Sequence, residues 1–459
     1  MLANTASLFA DALAESRGSR RALALGWLWL GLAALIASGL FSILLVLSRA
    51  PYTKDLFAFA DFFRVALVVH VDFSVLVWFA ACAGMLWSLN STPRLLGAGW
   101  AALAAAAAGA LVMGAAPFLD FAPPVMSNYI PVLDGRLFVS GLALFAAGGA
   151  LLVARSMAAV PKVGARPDGA GALRFGLNTA LVSAAVACVA FAWSYAELPR
   201  ALDGKAYFEV LFWGGGHVLQ FTWTLLLFVA WIALADAVGA RVPLTPRIAL
   251  LLFGIGLVSV FATPVIYLAY GVVSVEHYRL QTWLMRIGGG LAVVPFALAT
   301  ALALARAPRA EAAARPLAAA LGWSLALFAA GGLIGLAIHG SNVRIPAHYH
   351  GSIVGITLAL MGLVYHLLPR LGFAEPCARW ATIQCWLYGA GQLAHVAGLL
   401  WSGGYGVQRK VAGAAEVLRS GGEIAAMGLM GVGGLAAVAG GFLFVLIVLR
   451  AMLAPRPSR

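Results

Sequence analysis

The stretch Arg344-Ile345-Pro346-Ala347-His348-Tyr349-His350-Gly351 opens an apolar run that ends near Leu368-Pro369-Arg370. On a helix, residues two apart point about 200° from each other. A single helix can therefore present His348 to a centre on one side and His350 to a centre on the other. That geometry suits two metal centres held by one helix. For an isolated His-x-His the plainer reading is a polar pair at the wet mouth of a membrane helix, so the remaining histidines decide.

Composition fixes the class. The chain has 459 residues, 63% hydrophobic and only 10% charged, whereas an ordinary soluble domain is roughly half apolar. It reads as an all-α polytopic membrane protein. Twelve apolar segments are long enough to span, at 23–48, 60–88, 96–119, 136–155, 172–196, 206–238, 246–273, 282–305, 316–339, 347–369, 380–402 and 421–450. This divides the chain into an N-terminal segment 1–22, a single twelve-helix membrane domain 23–450 and a tail 451–459. The first apolar run is of spanning length and lacks the pattern of a cleaved signal peptide. Cys82, Cys188, Cys377 and Cys385 form no CxxC pair, which indicates neither a disulfide framework nor a thiolate metal site.

The net charge of +13 follows topology. Arg20, Arg21, Arg94, Arg155, Arg174, Arg241, Arg306, Arg315, Arg370 and Arg450 fall on the side of the N-terminus. Asp55, Asp61, Asp120, Asp134, Glu197, Asp203, Glu209, Glu276 and Glu416 fall on the other. The positive-inside rule puts both termini in the cytoplasm and accounts for the basic balance without nucleic acid as a partner. The Ala/Gly-rich runs 101–108, 288–290 and 431–441 read as close helix packing.

Histidines in spans are functional suspects by default. The second, sixth and tenth spans run from outside to inside, and His70, His217, His348 and His350 all lie within about their first dozen residues. Four imidazoles at similar depth on three helices make a cofactor belt, since neutral imidazole is a common ligand of iron and copper. His366 reads as interfacial. For His395, His339 and the outer-loop pair Glu276-His277, a packing or loop role is the expectation. Arg286 reads as a buried cation in the eighth span, which needs a partner or a water cavity.

The chain resembles the catalytic subunit of the heme-copper oxidase superfamily over nearly its whole length, and more closely the B-type oxidases and related nitric oxide reductases. Ala347-His348-Tyr349-His350, Gly355-Ile356-Thr357 and Met361-Gly362-Leu363-Val364-Tyr365-His366-Leu367-Leu368-Pro369 look like that family's tenth helix. The resemblance implies that His348 binds a high-spin heme and His350 a low-spin heme. His70, in Val68-Val69-His70-Val71-Asp72, is then the other low-spin ligand. Phe212-Trp213-Gly214-Gly215-Gly216-His217 is similar to the sixth-helix motif whose histidine binds a non-heme metal. The run 390–400 followed by Gln408-Arg409-Lys410 looks like the end of the eleventh helix and the basic pair that contacts heme propionates.

Two departures bear on activity. The family's oxidases place a tyrosine four residues after the sixth-helix histidine to supply an electron and a proton to oxygen; this chain has Phe221. The seventh helix matches through Ala262-Thr263-Pro264-Val265, but Leu268-Ala269 stands where the family has two copper-binding histidines. A lone His217 is a poor copper site. Replacement ligands would have to come from Glu276, His277, Tyr267 or Tyr270, with a sharp bend of the seventh span.

The resemblance thus implies a heme-containing respiratory oxidoreductase that reduces nitric oxide to nitrous oxide, with two hemes and a non-heme copper or iron two of whose expected ligands are replaced by Leu268-Ala269. Gln220, on the same helical face as His217, is placed to hydrogen-bond a small gas substrate. Protons are expected from outside, where Asp61, Asp72, Glu209 and Glu276 lie, because the inner halves of the sixth and eighth spans offer scarcely more than Thr300. No CxxCH motif is present, so electrons are expected from a second subunit, cupredoxin-like or a cytochrome c, in a bacterial-type inner membrane. The alternatives are a terminal oxygen reductase and a non-catalytic heme electron-transfer or gas-binding subunit.

Overall fold

A computed structural model describes residues 5–15, 19–53, 60–164, 167–411 and 418–454. Asp55, Glu416 and the side chain of Asp61 lie outside the described residues. Long helices account for nearly everything else. They are α1 Arg20–Leu47, α2 Phe63–Leu89, α3 Leu96–Leu119, α4 Arg136–Ala158, α5 Gly169–Glu197 and α6 Gly204–Ala237. Then follow α7 Pro246–Ala269, α8 Val275–Arg306, α9 Ala312–Leu336, α10 Arg344–Leu367, α11 Ala378–Gly404 and α12 Gly421–Leu453.

Eleven of these helices are long and apolar enough to cross a membrane, among the described residues. The other is α11, which is less apolar. Its 27 residues would still reach about 40 Å at about 1.5 Å per residue, beyond the ~30 Å hydrocarbon core. A short hairpin, β1 Pro124–Val125 and β2 Val132–Leu133, pairs antiparallel between α3 and α4.

The chain divides into two compact units. The first comprises residues 1–31 and 76–307, the second 32–75 and 308–459. Within each, consecutive helices pack as pairs: α3 with α4 and α5 with α6 in the first, α9 with α10 and α11 with α12 in the second. Each unit also has one central helix. In α6 and in α10, 78% of the apolar window is buried, against 28% in α7. These two helices carry His217 and the pair His348/His350.

Small residues set the helix spacing, as expected for the glycine-rich runs. A Cβ on Gly391 of α11 would sit 2.7 Å from the backbone nitrogen of Ala437 in α12. One on Gly351 of α10 would sit 2.5 Å from the Cα of Gly331 in α9. With lipid outside, such close packing is a main source of helix association.

Two helices widen locally into π-turns. In α2 the α-helix Ala60–Val71 passes into Asp72–Val77 and resumes at Trp78–Leu89. In α8, Val275–Trp283 passes into Leu284–Gly288 and then Gly289–Arg306. The second case corrects the reading of residues 275–281 as loop: Ser274 caps the helix by accepting from the His277 N–H at 3.2 Å. It also corrects Arg286, which lies exposed on the π-turn. The extra residue per turn shifts the helix face there, which the regular 3.6 period does not anticipate.

Gly391→Ala should push α11 from α12 and lower the unfolding free energy by about 1–3 kcal/mol. Gly428→Ala, where an added Cβ meets nothing within 4 Å, should leave the thermal midpoint of the detergent-solubilised protein unchanged.

Candidate functional site

Four histidines share one hydrogen-bond arrangement. In the second unit, His348 Nδ1 lies 2.7 Å from the Gly331 carbonyl and His395 Nδ1 lies 2.9 Å from the Met430 carbonyl. In the first unit, His217 Nδ1 lies 2.8 Å from the carbonyl of Trp213, one turn earlier on α6. A carbonyl only accepts, so the proton sits on Nδ1 and the neutral ring presents an Nε2 lone pair.

His70 reaches the same state by a longer route. Its Nδ1 lies 3.0 Å from Ser38 Oγ and 3.2 Å from the Ser38 carbonyl, while the Ser38 hydroxyl donates to the His70 carbonyl at 3.1 Å. With that hydroxyl proton used, Nδ1 is the donor and Nε2 is open. This is the outer-sphere arrangement that orients metal-binding imidazoles.

The second unit brings His70, His348 and His350 onto α2 and α10 as the sequence predicts, and adds His395. The His350 and His395 rings lie 4.5 Å apart, centroid to centroid. Arg49 and His70 are electrostatic neighbours of both, and the Gln392 side chain lies beside His350. Among the described residues no backbone carbonyl binds the His350 ring. A glycine shapes the His348 site, since a Cβ on Gly335 would come 2.7 Å from His348 Nδ1. Arg409 and Lys410 follow α11: Arg409 donates to Ser341 Oγ at 3.2 Å, and Lys410 takes a left-handed backbone with φ 60°. His366 is half-buried and His339 exposed.

The first unit surrounds His217 with aromatic rings. Tyr129 packs against it at 4.9 Å and Trp213 at 4.8 Å. Glycines admit these rings to the helix: a Cβ on Gly214, Gly215 or Gly216 would collide with Tyr267, Phe191 or Tyr129 respectively. Gln220 is half-buried and Phe221 buried. Position 221 therefore carries no phenol, yet Tyr129 brings one to the His217 ring from outside α6. Sequence spacing gave no sign of it, because Tyr129 lies in the hairpin loop far from α6 in the chain.

At the end of α7, Leu268 is 76% exposed while Tyr267 is 3% exposed. The Tyr267 hydroxyl pairs with Ser194 Oγ at 2.7 Å and with the Ala190 carbonyl at 3.1 Å. His277 sets its ring edge-on to Tyr267 at 4.6 Å and is buried, while the adjacent Glu276 is exposed and Tyr270 is exposed as well. His217 and His277 are electrostatic neighbours. Four residues after His277, Gln281 is fully buried with neither amide atom hydrogen-bonded. Glu209 accepts from the Asn128 backbone N–H at 3.1 Å and from its side-chain amide.

The donor sets differ in what they fit. Pinned imidazoles with open Nε2 atoms fit axial ligation of heme iron. A copper or iron ion bound by several side chains fits less well, because no three His, Cys, Asp or Glu residues converge among the described residues.

No family model matches the chain. An uncharacterized protein of Rickettsia prowazekii (strain Madrid E) is 26% identical over 498 aligned positions, covering 94% of this chain and 96% of that protein. An uncharacterized protein of Aquifex aeolicus (strain VF5) is 27% identical over 358, covering 77% of this chain and 86% of its own. Among solved structures, a heme-copper terminal oxidase dimer determined by cryo-EM superimposes with a TM-score of 0.74 at 17% identity, over 96% of this chain and 85% of that one. The chain is a multi-pass membrane protein with the fold of a heme-copper terminal oxidase.

Proposed function

We propose that the chain is the catalytic subunit of a heme-containing respiratory oxidoreductase of nitric oxide reductase type, turning nitric oxide into nitrous oxide. The observation that carries this reading is the set of imidazoles pinned at Nδ1 and open at Nε2 on an oxidase fold. His70 and His350 would hold a low-spin heme and His348 a high-spin heme, with Arg409 and Lys410 near the propionates. Bound heme supplies one-electron redox chemistry whose potential follows axial ligation and burial.

The protein's own residues do the rest. Gly331 orients the His348 ring through its carbonyl, and Gly335 leaves room for that ring. His217 offers an open nitrogen inside an aromatic cage, and Gln220 an amide donor one turn on, for the gas or for a second metal. Protons would come from the side bearing Asp72, Glu209 and Glu276. Asp72 is buried on the π-turn of α2 with neither carboxyl oxygen paired, a group that ordered water would satisfy. Thr300 in α8 is likewise buried and unpaired, a single hydroxyl rather than a path. Both termini would be cytoplasmic, in a bacterial-type inner membrane, with electrons delivered by a cupredoxin-like or cytochrome c subunit.

One observation favours a second reading, oxygen reduction: Tyr129 supplies a phenol beside His217. Leu268-Ala269, and the absence of a three-ligand cluster among the described residues, weigh against it.

Heme and metal analysis of the purified chain, with His217→Ala beside it, tests the proposal. Two hemes and turnover of nitric oxide are expected. Two hemes with no turnover of either gas would leave a non-catalytic electron-transfer or gas-binding subunit, and absence of heme would end the reading. Tyr129→Phe should spare nitric oxide turnover; an oxygen reductase activity abolished by it would install the second reading instead. Gly335→Ala should displace His348 and cut high-spin heme content about 10-fold or more, the scale of a lost outer-sphere contact, while the low-spin spectrum persists.

A further inference from the structure

We propose that His395 is an axial ligand of the low-spin heme iron, competing with His350 to complete the pair with His70. This rests on the heme-binding reading above and goes beyond it, since that reading gives His395 no role.

Three observations within the second unit carry the inference. First, His395 has the geometry of a ligand: its Nδ1 is spent on the Met430 carbonyl at 2.9 Å, and no described residue hydrogen-bonds its Nε2. His350 lacks any such backbone anchor, so of the two imidazoles His395 is the better oriented. Second, the rings are adjacent, 4.5 Å between centroids with their planes 58° apart, and His70 lies within electrostatic range of both. Third, the surroundings are built around the His395 ring. A Cβ on Gly434 would come 3.0 Å from its Nδ1. One turn before it on α11, the Gln392 side chain lies beside His350, so His350 is held by a side chain and His395 by the backbone.

The Nδ1 bond satisfies the ring's one donor, and the acceptor lone pair on Nε2 is left for a ligand. Two imidazoles at one coordination position give the iron a spare ligand of the same chemical class. Loss of either then changes the ligand without abolishing the low-spin state.

The test uses the purified full chain with its hemes, as wild type, His350→Ala, His395→Ala and the double variant. Heme per chain is read by pyridine hemochrome and spin state by low-temperature electron paramagnetic resonance. His350→Ala should keep most of the low-spin signal, His395→Ala should shift or narrow it, and the double variant should lose it. A His350→Ala protein as fully high-spin as the double variant overturns the proposal, as does a low-spin signal surviving in the double variant. If His350→Ala takes up no heme, His395→Ala decides alone, and a spectrum superimposable on wild type overturns the proposal. Wild-type protein without heme would fail the underlying reading as well, an outcome distinct from heme that is bound but indifferent to His395.

Discussion

The hydrogen bond between a histidine Nδ1 and a backbone carbonyl is the constraint on which the rest of this architecture depends. It fixes the tautomer, aims Nε2 and costs the ring one rotational degree of freedom. For His348 and His395 the carbonyl comes from the neighbouring helix, so the bond forms only where two backbones approach closely. Gly331, Gly351 and Gly355 let α9 and α10 do so, and Gly391, Gly398 and Gly433 do the same for α11 and α12. These six glycines are tied to the histidines through packing: where a methyl group stood at these contacts, the helices would part and the carbonyl would move from the ring. For His217 the carbonyl is its own helix's, and the glycines instead admit the aromatic rings that hold the imidazole in place.

Span-level architecture was legible in the sequence because the bilayer imposes a simple rule on length and polarity. The segments read at 96–119 and 421–450 coincide with or fall inside Leu96–Leu119 and Gly421–Leu453. The departures sit at α8 and α11. The run from Val275 to Trp283 is too polar to register as part of a membrane span, yet it is helical because Ser274 caps it and the π-turn at Leu284–Gly288 joins it to the apolar part. Conversely α11 reads as an apolar span at 380–402, and the helix Ala378–Gly404 is there, although its polar residues make it less apolar than the others.

What stayed hidden was side-chain company. Period and depth place a histidine on a face, but they do not show that Ser38 meets His70 from α1, that Tyr129 meets His217 from a hairpin loop, or that His395 meets His350 from α11. Each is a contact between segments far apart in the chain, and none alters the local hydropathy pattern. The π-turns are equally silent in sequence, since one extra residue per turn leaves composition unchanged. They change what the helix presents: Asp72 begins one of them two residues after His70.

Buried polar groups without partners are expensive, more so where no water can reach them, so their placement carries information. Neither Asp72 carboxyl oxygen is paired, nor either Gln281 amide atom, and the Gln392 side chain lies beside His350. Other unpaired atoms lie far in sequence from any histidine, among them Ser88 Oγ in α2 and Thr300 Oγ1 in α8. Asp72 follows His70 by two residues, Gln281 follows His277 by four, and Gln392 precedes His395 by three, so each lies within about one turn of a buried or half-buried imidazole. A fold that only needed to pack would place Leu or Ala at these positions and gain from it. A polar or hydrated ligand would satisfy the unpaired atoms of Asp72 and Gln281.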